Sequence, residues 1–196
     1  MRTLAVDLAA RFSAGCVTEN GEVLHEFGSA DLSAFGMGDT TRSVAMAYSV
    51  DRVIIEDIPP HVKFGVKNIL RLQGLMILAL GRDGYQDTDL LDKTLFVQPR
   101  PWQSFYPGVA RGAEADRIEA ARAAAEKLGY TPPPLVEQYI ASVPEGKRVL
   151  KTKTDSFAKQ MTDFIDARLI CHWADQFDSL EAIEAVVKNQ CSRPYI

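Results

Sequence analysis

Asp163 and Asp166 stand three residues apart in the stretch MTDFIDARLICHWA, residues 161–174. Met161, Phe164, Ile165, Leu169, Ile170 and Trp173 recur there at roughly helical spacing, so the two carboxylates share one face of an apolar helix. No basic residue separates them, and like charges held so close repel unless water, a proton or a cation lies between. The plain alternative is one aspartate capping the helix and the other solvated. Two further acids close apolar runs: Asp7 in TLAVDLA (3–9) and Glu56 in DRVIIED (51–57). If these runs are neighbouring strands, Asp7 and Glu56 meet, and a helix packed across that edge adds Asp163 and Asp166. Four carboxylates in one pocket call for divalent cations, and hard oxygen ligands suit Mg²⁺ or Mn²⁺. Two such ions about 4 Å apart activate a water and stabilise the leaving oxygen in phosphodiester cleavage.

The elements that must position these acids are legible in order. TLAVDLA alternates as a strand. AGCVTENGEVLHEFG (14–28) is two strand-like runs around Asn20-Gly21, a two-residue hairpin signal. After a Gly- and Ser-rich stretch, Asp39 or Thr40 can cap a helix running to about Ser49. DRVIIED reads as a buried central strand stopped by Pro59 and Pro60, and residues 62–84 as a long amphipathic helix with a Gly exit. KTLFVQP (93–99) is a fifth strand, closed by Pro99 and Pro101. WQSFYPG reads as an aromatic loop, 113–129 as an Ala-rich helix and TPPPLVEQYIASVPEGKR as a proline-bounded excursion. Helices over about 155–174 and 179–189 end the chain. Three meander strands followed by strand–helix alternation predict an α/β fold, a mixed five-stranded sheet flanked by helices.

Composition bounds the reading. The chain has 196 residues, 46% hydrophobic and 24% charged, as in an ordinary globular domain. It has no apolar run of transmembrane length, and its N-terminus is no secretory signal. Cys16, Cys171 and Cys191 show no CxxC spacing, which argues against a disulfide framework or a zinc site and for a reducing cytoplasm. The net charge of −4 argues against a non-specific nucleic-acid coat, but charge is unevenly spread. Lys147, Arg148, Lys151, Lys153 and Lys159 run up to the aspartate helix, and Lys63, Lys67 and Arg71 recur at i, i+4 and i+8. Either cluster reads as a solvated face or as a DNA contact.

LAVDLA with Asp7, VIIEDI with Glu56, and FAKQMTDFIDARLICHWA with Lys159, Asp163 and Asp166 together give a pattern that resembles the RNase H-like nuclease superfamily. Within it the chain is similar to the RuvC-type Holliday-junction resolvases. The resemblance implies that Asp7, Glu56, Asp163 and Asp166 bind two Mg²⁺ ions, for which Mn²⁺ substitutes, and the scissile phosphate. It implies that Lys159 contacts a phosphate or steadies developing negative charge. It further implies a homodimer, joined through the helix at 62–82, that cuts branched DNA such as four-way junctions symmetrically. The ends would be 5′-phosphate and 3′-hydroxyl. Three departures stand out: Leu8-Ala9-Ala10 replaces the usual glycine after the first aspartate, a helical and Pro-rich segment is inserted at about 102–154, and the basic stretch before Lys159 is loose. They resemble a divergent branch, of phage or organelle type, acting in a bacterial or phage-infected cytoplasm.

Other residues have plainer readings. Asp57 alternates to the opposite face from Glu56 and is taken as non-catalytic. His172, six residues after Asp166, reads as a core or capping histidine, and Cys171 and Cys191 as buried small apolar residues. Trp102, Phe105 and Tyr106 pack a loop on the core or stack on unpaired bases, the former being favoured; Phe64 is a second candidate stacking wedge. Competing functions are a nuclease for RNA or RNA–DNA hybrid and a catalytically silent nucleic-acid-binding protein on the same fold. An actin-like or sugar-kinase ATPase lacks support, since neither a Gly-rich phosphate loop nor a second similar domain is present.

Overall fold

The computed structural model describes residues 1–8, 12–29, 34–57, 66–81 and 90–191; for 29, 34, 35, 66–72 and 191 it describes the backbone alone. Strands β1 (Arg2–Asp7), β2 (Ser13–Glu19) and β3 (Glu22–Ser29) form the opening meander. Asn20 and Gly21 turn the β2–β3 hairpin with φ of 51° and 86°, the left-handed pair a two-residue turn requires. Strands β4 (Arg52–Glu56) and β5 (Thr94–Val97) complete a five-stranded sheet of order β3-β2-β1-β4-β5. The meander pairs are antiparallel, whereas β1–β4 and β4–β5 are parallel. This is the mixed sheet expected from the order of elements.

Each face of the sheet is covered by helices. Leu4, Val6, Val17, Val53 and Ile55 point to one face and form a core with Met37, Val44 and Ala45 of α1 (Ala34–Ala47) and Met76 and Leu80 of α2 (Val66–Leu80). Ala5, Ala14, Cys16 and Ile54 point to the other face, beneath α6 (Lys151–Ala174). The helices α3 (Pro99–Gln103), α4 (Glu114–Lys127), α5 (Leu135–Ser142) and α7 (Leu180–Cys191) lie on this side too, with Trp102, Ala121, Ala125 and Ile183 buried in its core. Each fully buried large side chain contributes about 1.5–3 kcal/mol, so the period-2 pattern of the strands is enforced from both sides.

Several boundaries differ from the sequence reading. Helix α1 begins at Ala34, five residues before the expected cap, and runs through Gly36 and Gly38. Gly38 sits where a Cβ would lie 2.7 Å from the Ala79 Cβ, so close packing on α2 offsets the roughly 1 kcal/mol that glycine costs a helix. Pro99 and Pro101, read as closing β5, follow its end at Val97 and also start α3; proline is tolerated in a first helical turn, where its missing N–H has no partner to lose. The proline-bounded excursion likewise holds α5, entered from Pro134. Helix α6 starts at Lys151 rather than 155, which places Lys151 and Lys153 in its first turn. Helix α2 is described from Val66 to Leu80; positions 62–65 and 82–84 of the expected span lie outside the described residues.

Candidate active site

Parallel register sets the first two acids side by side. Val6 pairs with Ile55, so Asp7 and Glu56 are the next residues, at the carboxyl ends of adjacent central strands. Alternation puts Asp7 on the side of Ala5 and Glu56 on the side of Ile54, the face covered by α6. Asp57 turns the other way and accepts a hydrogen bond from Gln73 Nε2 of α2.

A buried polar clamp holds α6 in place. Asp175, which caps its C-terminus, accepts from Thr3 Oγ1 at 2.5 Å, Thr18 Oγ1 at 2.9 Å and Arg52 Nη2 at 3.1 Å. Arg52 also donates to Thr3 Oγ1 at 2.9 Å and to the Phe177 carbonyl at 2.7 Å. Three strands are thus tied to one helix end. Phe164, Ile165, Leu169 and Ile170 bury the helix against the sheet. Lys159, Asp163 and Asp166, at spacings of four and three, share a face that turns toward Asp7.

The electrostatics are those of crowded negative charge. Asp7 is 5% exposed and Asp163 8%. Burial raises the Asp7 carboxyl, against the lowering effects of its hydrogen bond with Glu56 and of Lys159. Burial, then the Asp7 charge, the hydrogen bond with Asp7 and the Asp166 charge, push Glu56 well above its usual range. Burial and Asp7 push Asp163 up to about 8, partly countered by Lys159. Asp166 is likewise raised by burial, Asp7 and Asp163, with Arg117 opposing. Such a set holds protons or takes up cations. All its donors are carboxylate oxygens, which fits a hard divalent ion. Among the described residues no three acids, histidines or cysteines already form a metal-holding group.

Trp102, fully buried on α3, donates its indole N–H to Glu56 Oε1 at 3.3 Å. Its burial agrees with the packing expected from the sequence, and the structure adds the bond to Glu56. Tyr106 is buried, its hydroxyl bonding the Leu169 carbonyl and His172 Nδ1, both at 2.8 Å, while Phe105 is exposed. His172 is therefore a structural partner, with its pKa lowered by burial and by Arg168. Cys171 is buried and its thiol donates to the Cys16 carbonyl at 3.1 Å; the Cys191 side chain is not among those described.

Beside the acids a cavity of about 510 Å³ opens between α4 and α6. Asp163, Asp166, Lys159 and Thr162 line one wall; Arg117, Ile118, Ala121 and Arg122 of α4 line the other. These arginines were absent from the sequence reading. The one local signal concerns Arg117, which falls at i, i+4 and i+8 with Ala121 and Ala125, the two alanines that the structure buries. The anticipated basic run is less central. Lys147, Arg148, Lys151 and Lys153 are exposed at and before the start of α6, and Lys153 is about 15 Å along the helix from Asp163. Lys63 and Phe64 lie outside the described residues, and Lys67 and Arg71 are placed on α2 by backbone alone.

The sheet order, the two helical layers and the late acidic helix define an RNase H-like fold of the RuvC kind. The similar structures include Thermus thermophilus RuvC in complex with a Holliday junction substrate: TM-score 0.52, 11% identity, covering 90% of this chain and 95% of that one. Another Thermus thermophilus RuvC structure aligns with TM-score 0.49 and 13% identity over 91% of this chain and 98% of that one. No protein-family profile and no curated protein sequence matches the chain.

Proposed function

We propose that the chain is one nuclease domain, with 102–154 as an insertion, and that it is a divalent-metal-dependent endonuclease for branched DNA. The observation that carries this reading is the convergence of Asp7, Glu56, Asp163 and Asp166 at the carboxyl ends of β1 and β4. The RuvC-like fold, and the Holliday junction bound by the protein it resembles, support the choice of substrate.

Asp7 and Glu56 from the sheet and Asp163 and Asp166 from α6 would hold the cations, Mg²⁺ or Mn²⁺. When bound, a pair of such ions supplies a low-pKa water and charge neutralisation at the scissile phosphate. The chain's own residues do the positioning. The clamp at Asp175 fixes where α6 presents its acids, and the Trp102 N–H orients Glu56. Lys159, one turn before Asp163, presents its ammonium beside the acids and offsets negative charge on the phosphate. Ile77 and Leu78, 40% and 62% exposed on α2, suit the apolar face of a homodimer. Two copies would present two sites to opposed strands of a four-way junction, leaving 5′-phosphate and 3′-hydroxyl ends.

The test is cleavage of labelled four-way junction, Y-junction, linear duplex and RNA–DNA hybrid, with and without Mg²⁺, alongside Asp163→Asn. Metal-dependent paired nicks in the junction, lost in the variant while binding is kept, are expected. Cleavage confined to the hybrid would replace the DNA reading with an RNase H activity. Binding without any cleavage would make the protein a silent binder.

A further inference from the structure

We propose that α4 is a wall of the nucleic-acid channel, with Arg117 and Arg122 gripping phosphates of the strand to be cut. The proposal rests on the nuclease reading and assigns it a part of the substrate site.

The cavity between α4 and α6 opens onto the acids of α6. Of the four, Asp163 and Asp166 line the cavity, whereas Asp7 is nearly inaccessible beneath α6. A phosphodiester approaching through that cavity therefore passes between α4 and α6. Across this gap stand Arg117 and Arg122 on one side and Lys159 on the other. Arg117 is held in position: its Nε donates to the Val109 carbonyl at 3.1 Å, and its charge acts on Asp166. Arg122 is exposed and pairs with no described acid. Ala121 and Ala125 lock α4 into the core, so the two guanidiniums project from a rigid support. The cavity also carries Glu114, Asp155, Asp163 and Asp166. Once Asp163 and Asp166 are neutralised by cations, the cationic wall dominates the field that a phosphate meets. Arginine, always charged and bidentate, is suited to that role.

The measurement is equilibrium binding of a four-way junction as a function of salt, in Mg²⁺ and with every protein carrying Asp163→Asn, so that the acids are neutralised and no cutting occurs. On that background the proteins are the parent, Arg117→Ala, Arg122→Ala, the double variant, Arg117→Lys, Arg122→Lys, and Lys127→Ala, on the same helix away from the cavity. Removing one arginine–phosphate ion pair lowers the slope of log K against log salt by about 0.9. The double variant is expected to fall by close to two such steps, the lysine variants to keep most of the slope, and Lys127→Ala to match the parent. Far-ultraviolet circular dichroism on each variant separates a missing ion pair from a missing fold; should Arg117→Ala unfold, Arg122→Ala and Arg117→Lys still decide. Parental binding with an unchanged slope in the folded Arg122→Ala and double variants would overturn the α4 assignment and leave the nuclease reading standing. A parent that binds no nucleic acid would overturn both.

Discussion

Replacing Asp163 by asparagine keeps the shape of the side chain and removes its ionisation, and the metal-free protein should become more stable. Asp163 titrates at about 8 in the folded chain because it is buried beside Asp7, against 3.8 in an unfolded one. Folding at pH 7 therefore carries the cost of keeping a proton on a carboxyl that would otherwise have released it. At about 1.4 kcal/mol per pH unit between 3.8 and 7, that cost has a ceiling of roughly 4 kcal/mol. Local relaxation and water entry reduce it, so a gain of about 1–3 kcal/mol is expected, or about 2–10 °C in Tm for a chain of this size. The sign follows from which state binds the proton. Below pH 3.8 both states are protonated and wild type and variant are alike. Wild-type stability falls as pH rises from there, and the gap reaches its full width near pH 8. Millimolar Mg²⁺ should then close the gap by binding only the folded wild type. Thermal unfolding at pH 4, 7 and 8.5, in EDTA and in Mg²⁺, measures all of this. An Asp163→Asn protein no more stable than wild type at pH 8.5 in EDTA would refute the account of a crowded, under-neutralised acid cluster.

Two other perturbations test how the site is supported. Trp102→Phe fills most of the same space but removes the N–H that bonds Glu56 at 3.3 Å. Its Mn²⁺ affinity by calorimetry should fall about tenfold with Tm near wild type, and an unchanged affinity would make Trp102 a packing residue only. Asp175→Ala leaves Arg52, 3% exposed, without its carboxylate and frees the end of α6. Urea unfolding should show a loss of about 3–5 kcal/mol; a loss under 1 kcal/mol would mean that apolar packing alone places the helix.

Local pattern carried much of the architecture. Strand alternation, the Asn20-Gly21 turn and the length of the helices give the element order, because each depends on neighbours within a few residues. Boundaries moved where distant packing outweighed local preference. Gly38 is a poor helix residue that α2 makes acceptable, and Pro99 and Pro101 are breakers that a first helical turn accommodates. The four acids were legible as candidates because Asp7 and Glu56 end apolar runs and Asp163 and Asp166 share one face of an apolar helix, placements that are costly unless the groups share a task. Arg117 and Arg122 were not, since an arginine in an Ala-rich helix is common until the facing element is known.

By itself the sequence determined the residue types of the site, the faces on which Asp7, Glu56, Asp163 and Asp166 lie, and the order of elements that carries them. Tertiary structure alone decided that Val6 registers with Ile55, that Asp175 clamps α6 to three strands, and that α4 stands across a cavity from Lys159. Periodicity is a short-range property that a chain displays at every point. Which faces meet is set by burial and polar pairing between residues more than a hundred positions apart, such as Thr3 and Asp175, and no local pattern records that.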